Sequence, residues 1–148
     1  MKILVTGGAG FIGSNIVREL VNRGDEVVVI DNLFSGKKEN LTEVMDSIRF
    51  VEGSITDFNL LKEECKGVDV ILHQTAIPSV PRSINDPLSS NTTNIEGSLK
   101  VLLAAKECSV KRVVLAGSSS AYGNTETLPK TEDMPTNPLS PYALQKVT

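Results

Sequence analysis

Thr6-Gly7-Gly8-Ala9-Gly10-Phe11-Ile12-Gly13 is the stretch on which the reading of this chain turns. It separates the strand-like run Ile3-Leu4-Val5 from Ile12, Ile16, Leu20 and Val21, whose spacing makes one apolar helical stripe. In a strand-to-helix turn of this kind, bare backbone lets a pyrophosphate come close, and the helix N-terminus faces its charge. The glycines parse in two ways. Gly8, Gly10 and Gly13 satisfy GxGxxG, while Gly7, Gly10 and Gly13 satisfy TGxxGxxG. A connection that needed glycine only for tight helix-to-strand packing would look the same in isolation, so the order of the elements after the turn carries the weight.

Gly24-Asp25 ends the first helix, and Val27-Val28-Val29-Ile30 is a continuous β-branched run of the kind buried on both faces of a parallel sheet. Ile48–Val51, Val68–Leu72 and Val113–Ala116 repeat it, with helical stretches at Phe58–Cys65 and Pro87–Cys108 between them. The alternation predicts an α/β fold of βαβ units. Right-handed crossovers then give strand order 3-2-1-4-5, with ligands at the carboxyl ends of strands one and four. The long helix is expected to present Ile95, Leu99, Leu102 and Leu103 on one face, with Asp86-Pro87 at its start. Neither an internal repeat nor a linker interrupts the pattern, so residues 1–148 form one domain. Asp31 closes the second strand about 20 residues beyond the glycines, where a carboxylate accepts hydrogen bonds from adenosine ribose hydroxyls and repels a 2′-phosphate. This selects NAD over NADP. Lys37-Lys38 nearby reads as a solvated charged loop.

Composition narrows the classes further. The chain has 148 residues, 40% of them hydrophobic, with a formal net charge of −3. A sequence pI near 5.2 and the lack of a dense Lys/Arg patch argue against a nucleic-acid partner. No apolar run approaches bilayer length and no signal-peptide pattern precedes Ile3, which leads us to expect a soluble, cytoplasmic protein. Cys65 and Cys108 show no CxxC or metal-ligand spacing and read as reduced, buried thiols; no metal is expected.

With TGGAGFIG, VVVIDNL, HQTAIPSVPRSINDP, NTTNIEG, SSSAYG and SPYALQK in this order, the chain resembles the extended short-chain dehydrogenase/reductase family, and within it the nucleotide-sugar 4-epimerases. HQTAIPSVPRSINDP is most similar to the branch acting on UDP-N-acetylhexosamines. The resemblance implies a Rossmann-type doubly wound parallel sheet with NAD as cofactor. It also implies that the chain corresponds to the cofactor-binding N-terminal half of such enzymes, with the remaining strands and the C-terminal substrate-binding part absent. Carried over by position, Gly7, Gly10, Phe11, Ile12 and Gly13 meet the pyrophosphate, Asp31, Asn32 and Ser35 surround the adenosine ribose, and Ser54 and Ile55 lie by the adenine. Many relatives have aspartate where this chain has Ser54; its hydroxyl is the substitute donor or acceptor. Gln74, Thr75 and Ala76 line the cofactor from the loop after strand four, and Asn94 faces the strand ends from the long helix. Ser79, Arg82 and Ser83 match the loop beneath the sugar and its diphosphate. A homodimer built by the long helix and the Tyr-Lys helix is a further implication.

Epimerising a secondary alcohol requires removal of a hydroxyl proton and a carbon-bound hydride, giving a 4-keto sugar whose hydride is then returned to the opposite face. NAD carries the hydride and the protein the proton. A phenol ionises near pH 10, so a tyrosine base near neutrality needs about 4 kcal/mol of electrostatic help. Lys146, one helical turn beyond Tyr142, supplies a cation, which makes Tyr142 the expected general base. Ser118 stands at the position of the family's catalytic serine or threonine, with Ser119 as the second candidate; both also count as substrate-binding, as does Tyr142. Nucleotide-sugar dehydratases and decarboxylases carry carboxylates where this chain has only the hydroxyls of Ser118-Ser119-Ser120. His73 reads as a structural hydrogen-bonder. Two alternatives stay open: another nucleotide-sugar enzyme such as a UDP-uronate epimerase or a sugar dehydratase, and an NAD-binding module without catalysis. The second gains from the few residues after Lys146, too short a helix to persist without packing, and from strand five, expected to be an exposed apolar edge.

Overall fold

In a computed structural model describing residues 1–148, five parallel strands form one sheet: β1 (Lys2–Thr6), β2 (Glu26–Asp31), β3 (Ile48–Glu52), β4 (Val70–His73) and β5 (Arg112–Leu115). Their order is β3-β2-β1-β4-β5, as the crossover rule requires. The connections are helical: α1 (Phe11–Asn22), a 3₁₀ segment (Lys38–Ser47), α2 (Phe58–Glu64), α3 (Val80–Asn85), α4 (Pro87–Asn91) and α5 (Ser98–Glu107). A 3₁₀ turn (Ser119–Tyr122) and α6 (Pro141–Gln145) come after β5.

Successive strand residues point to opposite faces, and this period of two builds two cores. Ile3, Val5, Val27 and Val29 pack with Val17 and Leu20 of α1 and with Leu41 and Val44 of the 3₁₀ segment. Leu4, Val28, Ile30 and Ile71 face the other way, against Leu61 and Cys65 at α2 and Val101, Ala104 and Ala105 of α5. β1 is central, so Leu4 and Val5 are fully buried. Local capping starts the helices where the sequence places them: the Asp57 carboxylate accepts from Asn59 and Leu60 N–H at 3.0 and 3.1 Å, and that of Asp86 from Ser89 N–H at 3.1 Å.

Three expectations need correction. The stretch from Pro87 is not one uniform α-helix, because Thr92–Gly97 adopts a π-helical turn between α4 and α5. Its apolar stripe is also reversed: Leu99, Leu102 and Leu103 are 53%, 43% and 44% exposed, while Val101, Ala104 and Ala105 join the core and Gly97 lies against Ile55. Hydrophobicity alone marked the large residues, whereas the small ones lie on the face that packs into the core beside α2. Lastly, Ile12 leaves the α1 stripe; Gly13, Ser14, Val17 and Leu20 are the buried residues of that helix. Helix α3 and the 3₁₀ segment were not anticipated either, since polar and proline residues mask their short periods.

Strand β5 pairs only with β4, and Val114 and Leu115 on it are 45% and 47% exposed. An apolar edge of this kind templates association. Sedimentation of the 148-residue chain is therefore expected to show concentration-dependent self-association that Leu115→Lys reduces; equal behaviour of the two proteins would count against the edge as its source.

Candidate functional site

The carboxyl ends of β1, β2, β4 and β5 open into one cleft of about 510 Å³, within the size range of sites for organic ligands. Its floor is the glycine turn. Gly7 has φ +72°, and a Cβ there would lie 2.8 Å from Thr75 N; a Cβ on Gly13 would collide with the carbonyl oxygen of Gly7. Gly7, Gly10 and Gly13 line the cleft, whereas Gly8 is turned toward Val29 of the core. The TGxxGxxG frame is thus the one the fold uses. Helix α1 starts at Gly10 with no side-chain cap and no acidic residue in its first turn, so its N–H groups and positive dipole end remain available to an anion. Phe11 and Ile12 stand 84% and 62% exposed on the rim.

Asp31 is buried, and its two oxygens tie the turn to the end of β2: Oδ2 accepts from Ala9 N–H at 2.9 Å and Oδ1 from Leu33 N–H at 2.8 Å. The carboxylate still borders the cleft together with Asn32 and Ser35. Gly36, which the sequence reading passed over, lets the chain after β2 return against this turn, since a Cβ there would sit 2.9 Å from Asp31 Oδ2. Ser54 and Ile55, after β3, also line the cleft, with the Ser54 hydroxyl engaged to Thr56 Oγ1 at 2.8 Å.

Gln74, Thr75 and Ala76 line the cleft from the loop after β4. The side-chain oxygen of Thr75 is buried there without a hydrogen-bond partner. Asn94 does not line the cleft. Its side chain is consumed by the same loop, accepting from Ile77 N–H at 2.8 Å and donating to Ile77 O at 3.3 Å. Ser89 and Thr93, one turn apart, occupy the wall in its place; an i, i+4 pair next to Asn94 was the available signal. Ala116 and Gly117, directly after β5, also line it, and the strand-end rule would have found them.

Tyr142 and Lys146 reach this cleft from α6 and its C-terminal cap. The expected contact between ammonium and phenol is not made directly. Lys146 Nζ instead donates to Ala116 O at 2.9 Å, and burial lowers its pKa from the ordinary lysine value. Lys146 thus carries a partly desolvated ammonium in the cleft that Tyr142 also lines. Ser83 serves a different purpose from the one its position implied: fully buried, it accepts from Tyr142 N–H at 3.0 Å and donates to Val80 O at 2.8 Å. Ser79 caps α3 through Arg82 N–H, and the Arg82 guanidinium lies 5.1 Å from the Phe34 ring centroid. Ser118 and Ser119 lie outside the cleft lining. The Ser118 hydroxyl caps the 3₁₀ turn, accepting from Ser120 N–H at 3.2 Å and meeting Ser120 Oγ at 2.8 Å.

His73 is buried between Thr6 and Ser98, with Nδ1 2.6 Å from Thr6 Oγ1 and Nε2 2.9 Å from Ser98 Oγ. Ser98 spends its proton on Asn94 O at 2.7 Å, so Nε2 is the donor and Nδ1 accepts from Thr6. The ring is neutral; burial, reinforced by the Lys146 charge, pulls its pKa down to about 4.

A dinucleotide fits these residues. Gly7, Gly10 and Gly13 present bare backbone to the cleft, the α1 N-terminus offers unpaired N–H groups, and Asp31 borders the position a ribose takes at the end of β2. Fold and cleft together define a dinucleotide-binding α/β domain of the doubly wound class. Residues 3–148 match the family described as the NAD dependent epimerase/dehydratase family, and the chain belongs to it. It is 45% identical over 152 residues to a UDP-glucose 4-epimerase of Mycolicibacterium smegmatis, covering 99% of this chain and 48% of that protein. Among solved structures it is similar to a UDP-N-acetylglucosamine 4-epimerase from Methanobrevibacter ruminantium in complex with UDP-N-acetylmuramic acid, with TM-score 0.93, 39% identity, and 99% and 47% of the two chains covered. It is equally similar to a dTDP-glucose 4,6-dehydratase from Streptomyces venezuelae with NAD bound, with TM-score 0.94, 41% identity, and 99% and 48% coverage. The chain spans about half the length of the curated relatives it matches.

Because the folded His73 pKa lies below the unfolded value of about 6.5, the unfolded chain binds the extra proton between these pH values. The stability contribution is complete above pH 6.5 and is lost as pH falls toward 4, by about 3 kcal/mol in all. Urea denaturation at pH 7 and pH 4.5 is expected to show this drop in the native chain and a smaller one in His73→Asn; identical pH dependence would remove His73 as its cause.

Proposed function

We propose that this chain is the NAD-binding half of a nucleotide-sugar 4-epimerase acting on a UDP-hexose or UDP-N-acetylhexosamine. The observation that carries the reading is that Tyr142 and Lys146 border the same cleft as the glycine cradle and Asp31. NAD, when bound, accepts and returns the hydride of the sugar carbon. The protein's own work is the proton and the geometry. Tyr142 accepts the hydroxyl proton, and the desolvated Lys146 ammonium favours the phenolate that does so. The α1 N-terminus and glycine backbone neutralise pyrophosphate charge. Asp31 takes ribose hydroxyl donors on its remaining lone pairs and disfavours a 2′-phosphate.

Ser118 donates to the reacting sugar oxygen and Ser119 assists, which requires the Ser118 hydroxyl to rotate away from Ser120. Ser79 and Arg82 serve the sugar diphosphate side. The hydroxyl-only run Ser118-Ser119-Ser120 supports epimerisation over dehydration, since elimination needs acid–base groups that this segment lacks. The similarity to the dTDP-glucose dehydratase structure keeps dehydration as the second reading. The substrate-binding part lies outside residues 1–148. No helix is long and apolar enough to cross a membrane, and a cytoplasmic location accords with the two free cysteines. The exposed Leu99, Leu102 and Leu103 support a homodimer through α5.

Two measurements test this. Titrated with dinucleotides, the 148-residue chain is expected to bind NAD+ weakly and in preference to NADP+, and Asp31→Asn to narrow that preference; equal affinity for both would remove the role given to Asp31. A family-length protein bearing this half should invert C4 of UDP-N-acetylglucosamine or UDP-glucose, seen as new anomeric proton signals. Tyr142→Phe should slow it by roughly 10²- to 10⁴-fold while NAD+ still binds. A 4-keto-6-deoxy product would establish dehydration instead, and turnover by the 148-residue chain alone would show that no further part is required.

A further inference from the structure

Helix α6 is only five residues long, far below the length at which a helix persists unaided, yet it carries Tyr142 and ends at Lys146. Something outside the helix must hold it. Side-chain bonds to its neighbours do so at three levels. Ser83 accepts from Tyr142 N–H at the first turn, and Lys146 donates to Ala116 O at the end. Between them Gln145, buried on the side away from the exposed Leu144, accepts from Asn94 Nδ2 at 2.8 Å and donates to Ser90 Oγ at 3.1 Å.

Gln145 lies outside the cleft lining, so it has no direct part in binding or proton transfer. Its partners are what make it informative. Asn94 divides its side chain between Gln145 and both backbone groups of Ile77, and Ile77 belongs to the loop that walls the cleft after β4. Ser90, fully buried, passes the second arm of Gln145 on to α4 by donating to Pro87 O at 3.1 Å. Every polar atom of the Asn94 and Gln145 amides is therefore engaged, in a site that is nearly dry. Removing one amide strands the partner's donor or acceptor, which costs more than the bond itself contributes.

We propose that Gln145 is a positioning residue: through the Asn94 amide it locks the Tyr142–Lys146 helix to the cleft loop at Ile77, so that the proton acceptor and the cofactor wall keep one relative placement. This rests on the reading of Tyr142 as the proton acceptor, but the placement can be measured without turnover. The amides form a single coupled unit. Disturbing either end loosens both α6 and the loop, while the far side of the sheet is untouched.

The test is hydrogen exchange on the 148-residue chain. Gln145→Met, close in volume and unable to bond, is expected to speed exchange about tenfold in residues 140–148 and in 76–79, with β1 and β2 peptides unchanged; tenfold corresponds to about 1.4 kcal/mol. Asn94→Leu should do the same, and the double variant should remain near the single ones rather than approach a hundredfold. Unchanged exchange in α6, or effects that multiply, would overturn the proposal. If Gln145→Met loosens the whole chain, Ser90→Ala decides, since it removes one arm only: a rise confined to 140–148 supports the lock, and no rise overturns it.

A fluorine probe supplies a readout that general packing would not move. With 3-fluorotyrosine at position 142 in a Tyr122→Phe background, NAD+ should shift the signal in the native sequence. In Gln145→Met that response should be lost, although NAD+ still perturbs the glycine-turn amides. An unaltered Tyr142 response in Gln145→Met would overturn the positioning role. Absence of any NAD+ response in the native sequence would instead refute the cofactor reading, leaving the exchange result to judge Gln145.

Discussion

The approach of α1 to β1 at Gly13 and Gly7 is the constraint that organises the whole molecule. No side chain fits at Gly13 without striking the Gly7 carbonyl, and none fits at Gly7 without striking the loop after β4. The absence of two Cβ atoms thus brings three elements together at one point. Asp31 then closes the arrangement from the side, using both carboxylate oxygens on backbone N–H groups of Ala9 and Leu33. The carboxylate that borders the cleft is also what fastens the turn to β2. Cleft lining and architecture share atoms here, so neither can be altered alone.

A second polar system, built around His73 and Asn94, extends this order to the other half of the cleft. Thr6 leads from the start of the glycine turn to His73, and His73 leads through Ser98 to the carbonyl of Asn94. The Asn94 side chain then reaches the loop at Ile77 and the helix at Gln145. Buried polar groups are costly unless paired, and here each finds its partner on a different element, so one arrangement satisfies them all. The π-helical turn at Thr92–Gly97 lies in the middle of this system and carries Asn94.

This explains how a helix expected to be too short to hold Tyr142 is nevertheless held. Its stability comes from Ser83, from Asn94 and Ser90 through Gln145, and from Ala116 through Lys146, contributed by separate parts of the chain. It also explains why several residues placed at the site by resemblance stand beside it. Ser83 and Asn94 organise the elements that form the cleft without facing it, whereas Ser89, Thr93, Ala116 and Gly117 face it. The family similarity extends over nearly the whole chain, to epimerase and dehydratase structures alike, so the fold by itself does not separate the two.

The parallel sheet, its strand order, the glycine cradle and the acidic residue after β2 were all legible in the sequence, because these depend on local patterns: β-branched runs, turn glycines and the spacing between them. So was the placement of Tyr142 and Lys146 one turn apart. Tertiary packing had to settle which glycine frame faces the cleft, which side of α5 is buried, and which polar residues bind one another rather than a ligand. Leu99 and Ala104 differ in hydrophobicity in the wrong direction for their burial, since the helix face each falls on, and not apolar character, chose between them. Asn94 and Gln145 are 51 residues apart, and nothing local in either segment announces that their amides meet.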